Sequence, residues 1–178
     1  LLALVVGVVG VMGFNTGMLV CDRVSGASGS LSTAYGAHTG IGTLPILLYG
    51  TEEQKKKYLP NLASGAWIGA YCLTEPGAGS DANSGRTKAE LSADGKTWKI
   101  NGQKMWISNA GYANLFIVFA RIEDDKNITG FIIESDATGI TLGDEEHKMG
   151  IHASSTRQVF FNDVTIPVEN LLGERNGG

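Results

Sequence analysis

A change of hydrophobic period near residue 66 predicts an α+β chain: an N-terminal helical segment followed by an antiparallel, β-barrel-like domain. Before that point small and apolar residues recur at helical spacing, as in Leu31, Ala34, Tyr35 and His38 and then Ile41, Leu44, Leu47 and Leu48. After it the period becomes two, and turn residues arrive about every ten positions. Residues 1–66 are therefore assigned to part of a helical domain and 67–178 to a β domain. Eight short strands joined by hairpins favour a barrel or two packed sheets over a parallel α/β layout.

The helical segment opens with an uncharged stretch, LLALVVGVVGVMGFNTGMLV. Its length suits a membrane span, but Gly7, Gly10, Gly13 and Gly17 dilute it, and it has no aromatic belt, basic flank or positive leader. A buried helix pair is expected, with no membrane span. The helix that starts after Thr51 carries stronger signals. Thr51 with Gln54 forms a capping box, Glu52 and Glu53 suit the positive helix end, and Pro60 and Ser64-Gly65 are expected to punctuate it.

The strands are expected at WIGAYCLT, GRTKAEL, KTWKI, QKMWIS, LFIVFAR, TGFIIES, QVFFNDV and TIPVENL. Asp94-Gly95 and Asn101-Gly102 read as hairpin turns, because both pairs tolerate positive φ.

Composition removes several functions. A net charge of -4 with scattered basic residues provides no footprint for nucleic acid. Cys21 and Cys72 stand in apolar contexts without metal-site spacing and read as small core residues in a reducing compartment. His38, His147 and His152 likewise lack ligand spacing and are expected to be structural. The chain starts at a leucine and reads as a piece of a longer protein.

One stretch asks for a chemical reading. YCLTEPGAGSDA, from Tyr71 to Ala82, contains a literal dinucleotide-binding glycine pattern, but that pattern needs a helix after it to hold a pyrophosphate. Asn83-Ser84-Gly85 and more strand stand there instead, so the match is coincidental. The loop is then either only a tight turn or one whose glycines let a ligand approach the backbone, with Thr74 and Ser80 as flanking hydroxyls. A second stretch, QKMWISNAG, is expected to put Trp106 and Ser108 on one strand face, an aromatic slab beside a hydroxyl.

Together the two stretches resemble the acyl-CoA dehydrogenases. Residues 72–81 (CLTEPGAGSD) are similar to that family's first signature and residues 101–109 (NGQKMWISN) to the segment after it. Met149-Gly150-Ile151, Ser155-Thr156-Arg157 and residues 161–171 (FNDVTIPVENL) extend the match in order. The opening eleven residues are unlike the family segment, and residues 1–12 are not expected to belong to its fold.

The resemblance implies the end of an N-terminal helical domain and a whole middle β domain, with a C-terminal helical bundle absent from the chain. It implies FAD, with contacts from Tyr71, Leu73, Thr74, Gly79, Ser80, Trp106, Ile107 and Ser108. It further implies α,β-desaturation of an acyl-CoA thioester in fatty acid β-oxidation, with electrons passed to an electron-transfer flavoprotein. Ser80 would touch the acyl-CoA, and Thr33, Ala37 and Ile41, at i, i+4 and i+8 on one helix face, would line the acyl tail, with some likeness to the long and very-long-chain branch. The family's glutamate base would lie outside this chain, so no catalytic residue is assigned and the piece is expected to be inactive alone. The full-length protein would be a homo-oligomer in a bacterial cytoplasm or a mitochondrial matrix. Alternatives are an acyl-CoA oxidase, a nitroalkane-oxidase-like relative, or a flavin-free binding protein. The loop from Glu123 to Asn127 reads as a solvated charge run rather than a CoA contact.

Overall fold

The computed structural model describes residues 14–178. The expectations for the opening apolar stretch fall largely on residues 1–13, outside the described part. Among the described residues four α-helices come first: α1 (Phe14–Ala27), α2 (Gly29–Gly36), α3 (Leu44–Tyr49) and α4 (Glu52–Ser64), with a π-helical turn over Ala37–Thr43 between α2 and α3. The capping box at α4 is present, with the Thr51 hydroxyl accepting from Gln54 N and the Gln54 side chain accepting from Thr51 N. The helix runs through Pro60 and ends at Gly65, in the left-handed region at φ 74. Burial of Tyr58 and Leu62 on either side of the proline carries it past the break that Pro60 alone would make.

Eight strands follow among the described residues: β1 (Gly69–Cys72), β2 (Lys88–Leu91), β3 (Thr97–Ser108), β4 (Leu115–Ile122), β5 (Thr129–Glu134), β6 (Ile140–Leu142), β7 (Thr156–Pro167) and β8 (Leu171–Leu172). They form one open sheet in the order β6-β7-β3-β2-β4-β5-β8, with β1 on β4. Most pairings are antiparallel, but β4 pairs in parallel with both β1 and β2. The sheet is therefore mostly, not wholly, antiparallel.

The hairpin expected at Asn101-Gly102 does not exist. KTWKI and QKMWIS are one strand, β3, because β7 pairs along its whole length from Thr97↔Pro167 to Ser108↔Thr156. A bulge between Ile100 and Gly102 absorbs the turn-forming pair. There Asn101 exchanges hydrogen bonds with Asp163, donating from Nδ2 to Oδ1 at 3.0 Å and accepting from Asp163 N at 2.8 Å. A Cβ at Gly102 would stand 2.7 Å from Thr87 Cα, so no side chain fits. For the same reason QVFFNDV and the start of TIPVENL merge into β7. The turn at Asp94-Gly95 forms as expected, with Gly95 at φ 71.

The core divides at β4, whose alternation puts Phe116, Val118, Ala120 and Ile122 into one cluster with Trp98, Ile100, Phe131 and Phe161. Leu115 and Ile117 face the other way, against Ile46, Tyr58 and Leu62 from the helices. Both faces of β4 are thus buried, which is why its sequence reads as a continuous apolar run.

Candidate flavin-binding site

The site is built where the end of β1 meets a second bulge in β3. Between Lys104↔Val159 and Ile107↔Arg157 the register shifts, so two residues of β3, Met105 and Trp106, oppose one of β7. Trp106 takes φ 57, a costly conformation for a bulky side chain, and is 62% exposed. The bulge changes which side chains share a face. Strict alternation would set Trp106 and Ser108 apart from Ile107, yet all three line one cavity of about 170 Å³ together with Ile41, Tyr71, Leu73 and Thr74.

Six of the eight residues expected to contact the flavin thus converge on one concavity. Gly79 and Ser80 do not line it; they lie in the turn beyond it. That turn is closed by Glu75 and Ala78, which exchange backbone hydrogen bonds of 3.0 and 3.1 Å. A Cβ at Gly77 or Gly79 would meet nothing within 4 Å, and neither glycine lies in the left-handed region. Nothing in the described chain therefore demands glycine at either position. After the turn comes a three-residue 3-10 turn, Ala82–Ser84, rather than the α-helix a pyrophosphate cradle needs.

The three residues expected to line an acyl tail are not all brought together. Ile41 joins the cavity, whereas Ala37 is buried and the Thr33 hydroxyl donates to Gly29 O at 3.0 Å on its own helix. The reason is local. From Ala37 the chain is π-helical, so the i, i+4 face of an α-helix does not continue across it.

Sequence reasoning did not single out the pair that joins the two signature stretches. Lys104 and Glu75 form an ion pair at 2.7 Å with side chains only 2% and 7% exposed. The same Lys104 Nζ donates to Leu73 O at 3.1 Å, while the Glu75 carboxylate accepts from Thr87 N at 3.0 Å and Arg86 N at 2.5 Å. Burial alone would raise the Glu75 carboxyl, but Lys104 and the two amides outweigh it and hold the group below the ordinary value. Burial in turn pulls the Lys104 ammonium down, against the opposing pull of Glu75. The hairpin expected at Asn101-Gly102 hid the signal: only with KTWKI and QKMWIS merged into one strand do Trp98, Ile100 and Lys104 share an inward face, where a lysine needs a partner.

Around the loop, Asn83 accepts from Ile128 N and donates to Lys126 O, tying the 3-10 turn to the β4–β5 connection. The 123–127 loop is not simply a solvated charge run, since Asp125 is held by Arg175 at 2.6 Å and is only 12% exposed. Tyr71 stacks obliquely on Phe119 with ring centroids 5.0 Å apart. Cys72 is fully buried and its thiol pushed up by desolvation, as expected of a core residue. His38 is fully buried and bonded at both ring nitrogens, so it is structural. Among the described residues no group of His, Cys, Asp and Glu could hold a metal, and no helix is long and apolar enough to cross a membrane.

Comparison with known proteins shows the family. The model of the acyl-CoA dehydrogenase middle domain matches residues 70–164, and that of the N-terminal domain matches residues 5–66. Similarity to the family therefore reaches back into the opening stretch, further than residues 13 onward. The chain is 50% identical over 160 residues to a probable acyl-CoA dehydrogenase of Bacillus subtilis, covering 90% of this chain and 27% of that protein. It is 52% identical to the human mitochondrial very long-chain specific acyl-CoA dehydrogenase, over 80% of this chain and 23% of that one. The crystal structure of an acyl-CoA dehydrogenase complexed with FAD from Bacillus anthracis superposes with a TM-score of 0.87 at 48% identity, covering 91% of this chain and 27% of that one. The chain thus spans about a quarter of the length of these relatives, and it belongs to the acyl-CoA dehydrogenase family.

Proposed function

We propose that this chain is the flavin-holding part of an FAD-dependent acyl-CoA dehydrogenase, residues 1–66 ending a helical domain and 67–178 forming the middle domain. The observation that carries the reading is the cavity at the β3 bulge, which gathers Tyr71, Leu73, Thr74, Trp106, Ile107 and Ser108 from two distant stretches. An exposed Trp106 ring beside the Thr74 and Ser108 hydroxyls fits a flat heteroaromatic ring that has polar edges. The open space at Gly77 and Gly79 fits a close approach of the same ligand to the backbone.

FAD bound there would supply the two-electron acceptor for removing hydrogen from an acyl-CoA thioester. The chain's own residues would orient and polarise. Trp106 offers its face, Thr74 and Ser108 offer neutral donors that do not compete for a proton, and Leu73 with Ile107 excludes water. Glu75 is not a base in this arrangement, because its carboxylate is buried and engaged by Lys104 and two amides. The proton-accepting glutamate belongs to the remainder of the protein, and the full-length protein is a homo-oligomer in this reading.

The acyl-CoA substrate, with Ser80 touching it, and an electron-transfer flavoprotein as acceptor belong to the same reading. Higher identity to the very-long-chain enzyme than the 42% found with a short-chain-specific relative from Clostridium acetobutylicum favours a long acyl chain. A reducing compartment, bacterial cytoplasm or mitochondrial matrix, suits the unpaired Cys72 thiol.

The test is made on the full-length protein. It should purify yellow, release FAD on denaturation, and lose its visible flavin absorbance when an acyl-CoA is added without oxygen. A colourless full-length protein that takes up no FAD would refute the reading.

A further inference from the structure

We infer that the buried Lys104–Glu75 pair is a positioning device for the flavin site rather than a device for stability, an inference that rests on the flavin reading above. Thr74 lies between two residues held by one ammonium: Lys104 Nζ donates to Leu73 O at 3.1 Å on one side and to Glu75 Oε1 at 2.7 Å on the other. The Thr74 carbonyl itself accepts from Met105 N at 2.9 Å, next to Lys104 in sequence and next to Trp106 on the other side. Three consecutive residues of the signature stretch are thus pinned to two consecutive residues at the β3 bulge. The carboxylate's remaining bonds, to Arg86 N and Thr87 N, anchor the assembly to the entry of β2.

Two physical points separate positioning from stability. A buried ion pair gains little net stability over neutral side chains of the same size, because desolvation offsets the attraction. It does, however, fix geometry, since an ammonium and a carboxylate with further hydrogen-bond partners tolerate few arrangements. The geometry fixed here is costly to hold: Trp106 sits at φ 57 in a bulge, a conformation that relaxes unless its neighbours determine it. The pair is one residue from Thr74 and two from Trp106, and neither charged side chain lines the cavity. It acts through the residues that do.

The experiment uses the full-length protein, stripped of FAD and titrated with it, as wild type, Glu75→Gln, and the neutral double variant Lys104→Met with Glu75→Gln. Wild type rebinds FAD; if it does not, the flavin reading itself fails, and this inference with it, before any variant is made. With wild type binding, the double variant is expected to keep the unfolding midpoint of the apoprotein while binding FAD at least about tenfold more weakly, the usual scale for residues that orient a ligand's contacts. Its visible flavin spectrum and reduction potential should also shift, and Glu75→Gln, which leaves the Lys104 ammonium buried without its counterion, should bind FAD no better than the double variant and lose apoprotein stability as well. Unchanged affinity, spectrum and potential in the double variant would overturn the inference. So would a loss of affinity in both variants that only tracks a loss of folded apoprotein, since the pair would then be structural.

Discussion

His38 and Gly69 are joined across the two parts of the chain: the Gly69 N–H donates to His38 Nδ1 at 3.0 Å, while Nε2 stands 3.1 Å from Leu62 O. An imidazole that accepts at Nδ1 must carry its proton on Nε2, so the ring is neutral and bridges β1 to the end of α4. Burial pushes its pKa below the ordinary value, with the Leu62 carbonyl pulling partly the other way.

Stability should therefore depend on pH. The unfolded chain takes up this proton near the ordinary histidine value of 6.5, while the folded chain resists until a lower pH. The contribution is fully present above about pH 6.5 and is lost as pH falls through that value toward the folded pKa. Urea midpoints of the full-length protein between about pH 7.5 and 5, a range that brackets the unfolded value, should decline, and His38→Gln should flatten part of that slope. An identical slope in the variant would show that other groups govern it.

The same junction leaves no room for a methyl group. A Cβ on Gly42 would stand 2.7 Å from Gly69 C, and one on Gly69 would stand 2.9 Å from Gly42 O. Both neighbours are backbone, so neither can rotate aside. Gly42→Ala or Gly69→Ala should cost about 1–3 kcal/mol, the range for overpacking a tight contact, read as a lower denaturant midpoint. A midpoint equal to wild type would mean that the π-helical turn moves freely against β1.

Gln54 has two roles and Thr51 has one. Beyond the capping box, Gln54 Nε2 donates to Glu169 O at 2.8 Å and Leu171 O at 2.9 Å, joining α4 to the far end of the sheet. Thr51→Ala should cost about 1 kcal/mol, the value of a cap. Gln54→Ala should cost more, about 2–4 kcal/mol, because it also leaves two carbonyls without their donor. Equal losses in thermal unfolding would place all of Gln54's effect in the cap.

Trp106 offers a direct check on the flavin reading. The residue is 62% exposed, so Trp106→Ala should leave the apoprotein's unfolding midpoint nearly unchanged while weakening FAD binding by about tenfold or more. Trp106→Phe should retain much of the affinity. Undiminished FAD binding in Trp106→Ala would remove the ring from the site.

Local chemistry determined much of this protein by itself. The period change near residue 66, the Thr51–Gln54 box and the Asp94-Gly95 turn are each decided by residues within a few positions, and each forms as expected. The candidate flavin residues were proposed from the signature stretches, and six of the eight share one cavity. Tertiary pairing decided the rest. Asn101-Gly102 is a turn in isolation, but a full-length partner in β7 makes it a bulge, since the ladder of hydrogen bonds outweighs a two-residue preference. The π-helical turn that parts Thr33 and Ala37 from Ile41 is held where Gly42 packs against Gly69 backbone, a contact between residues far apart in the chain. The Lys104–Glu75 pair was beyond local reading for the same reason: a period of two can say that Lys104 points inward, but only the packed sheet, with partners 29 positions apart, supplies the carboxylate that lets a lysine stay there.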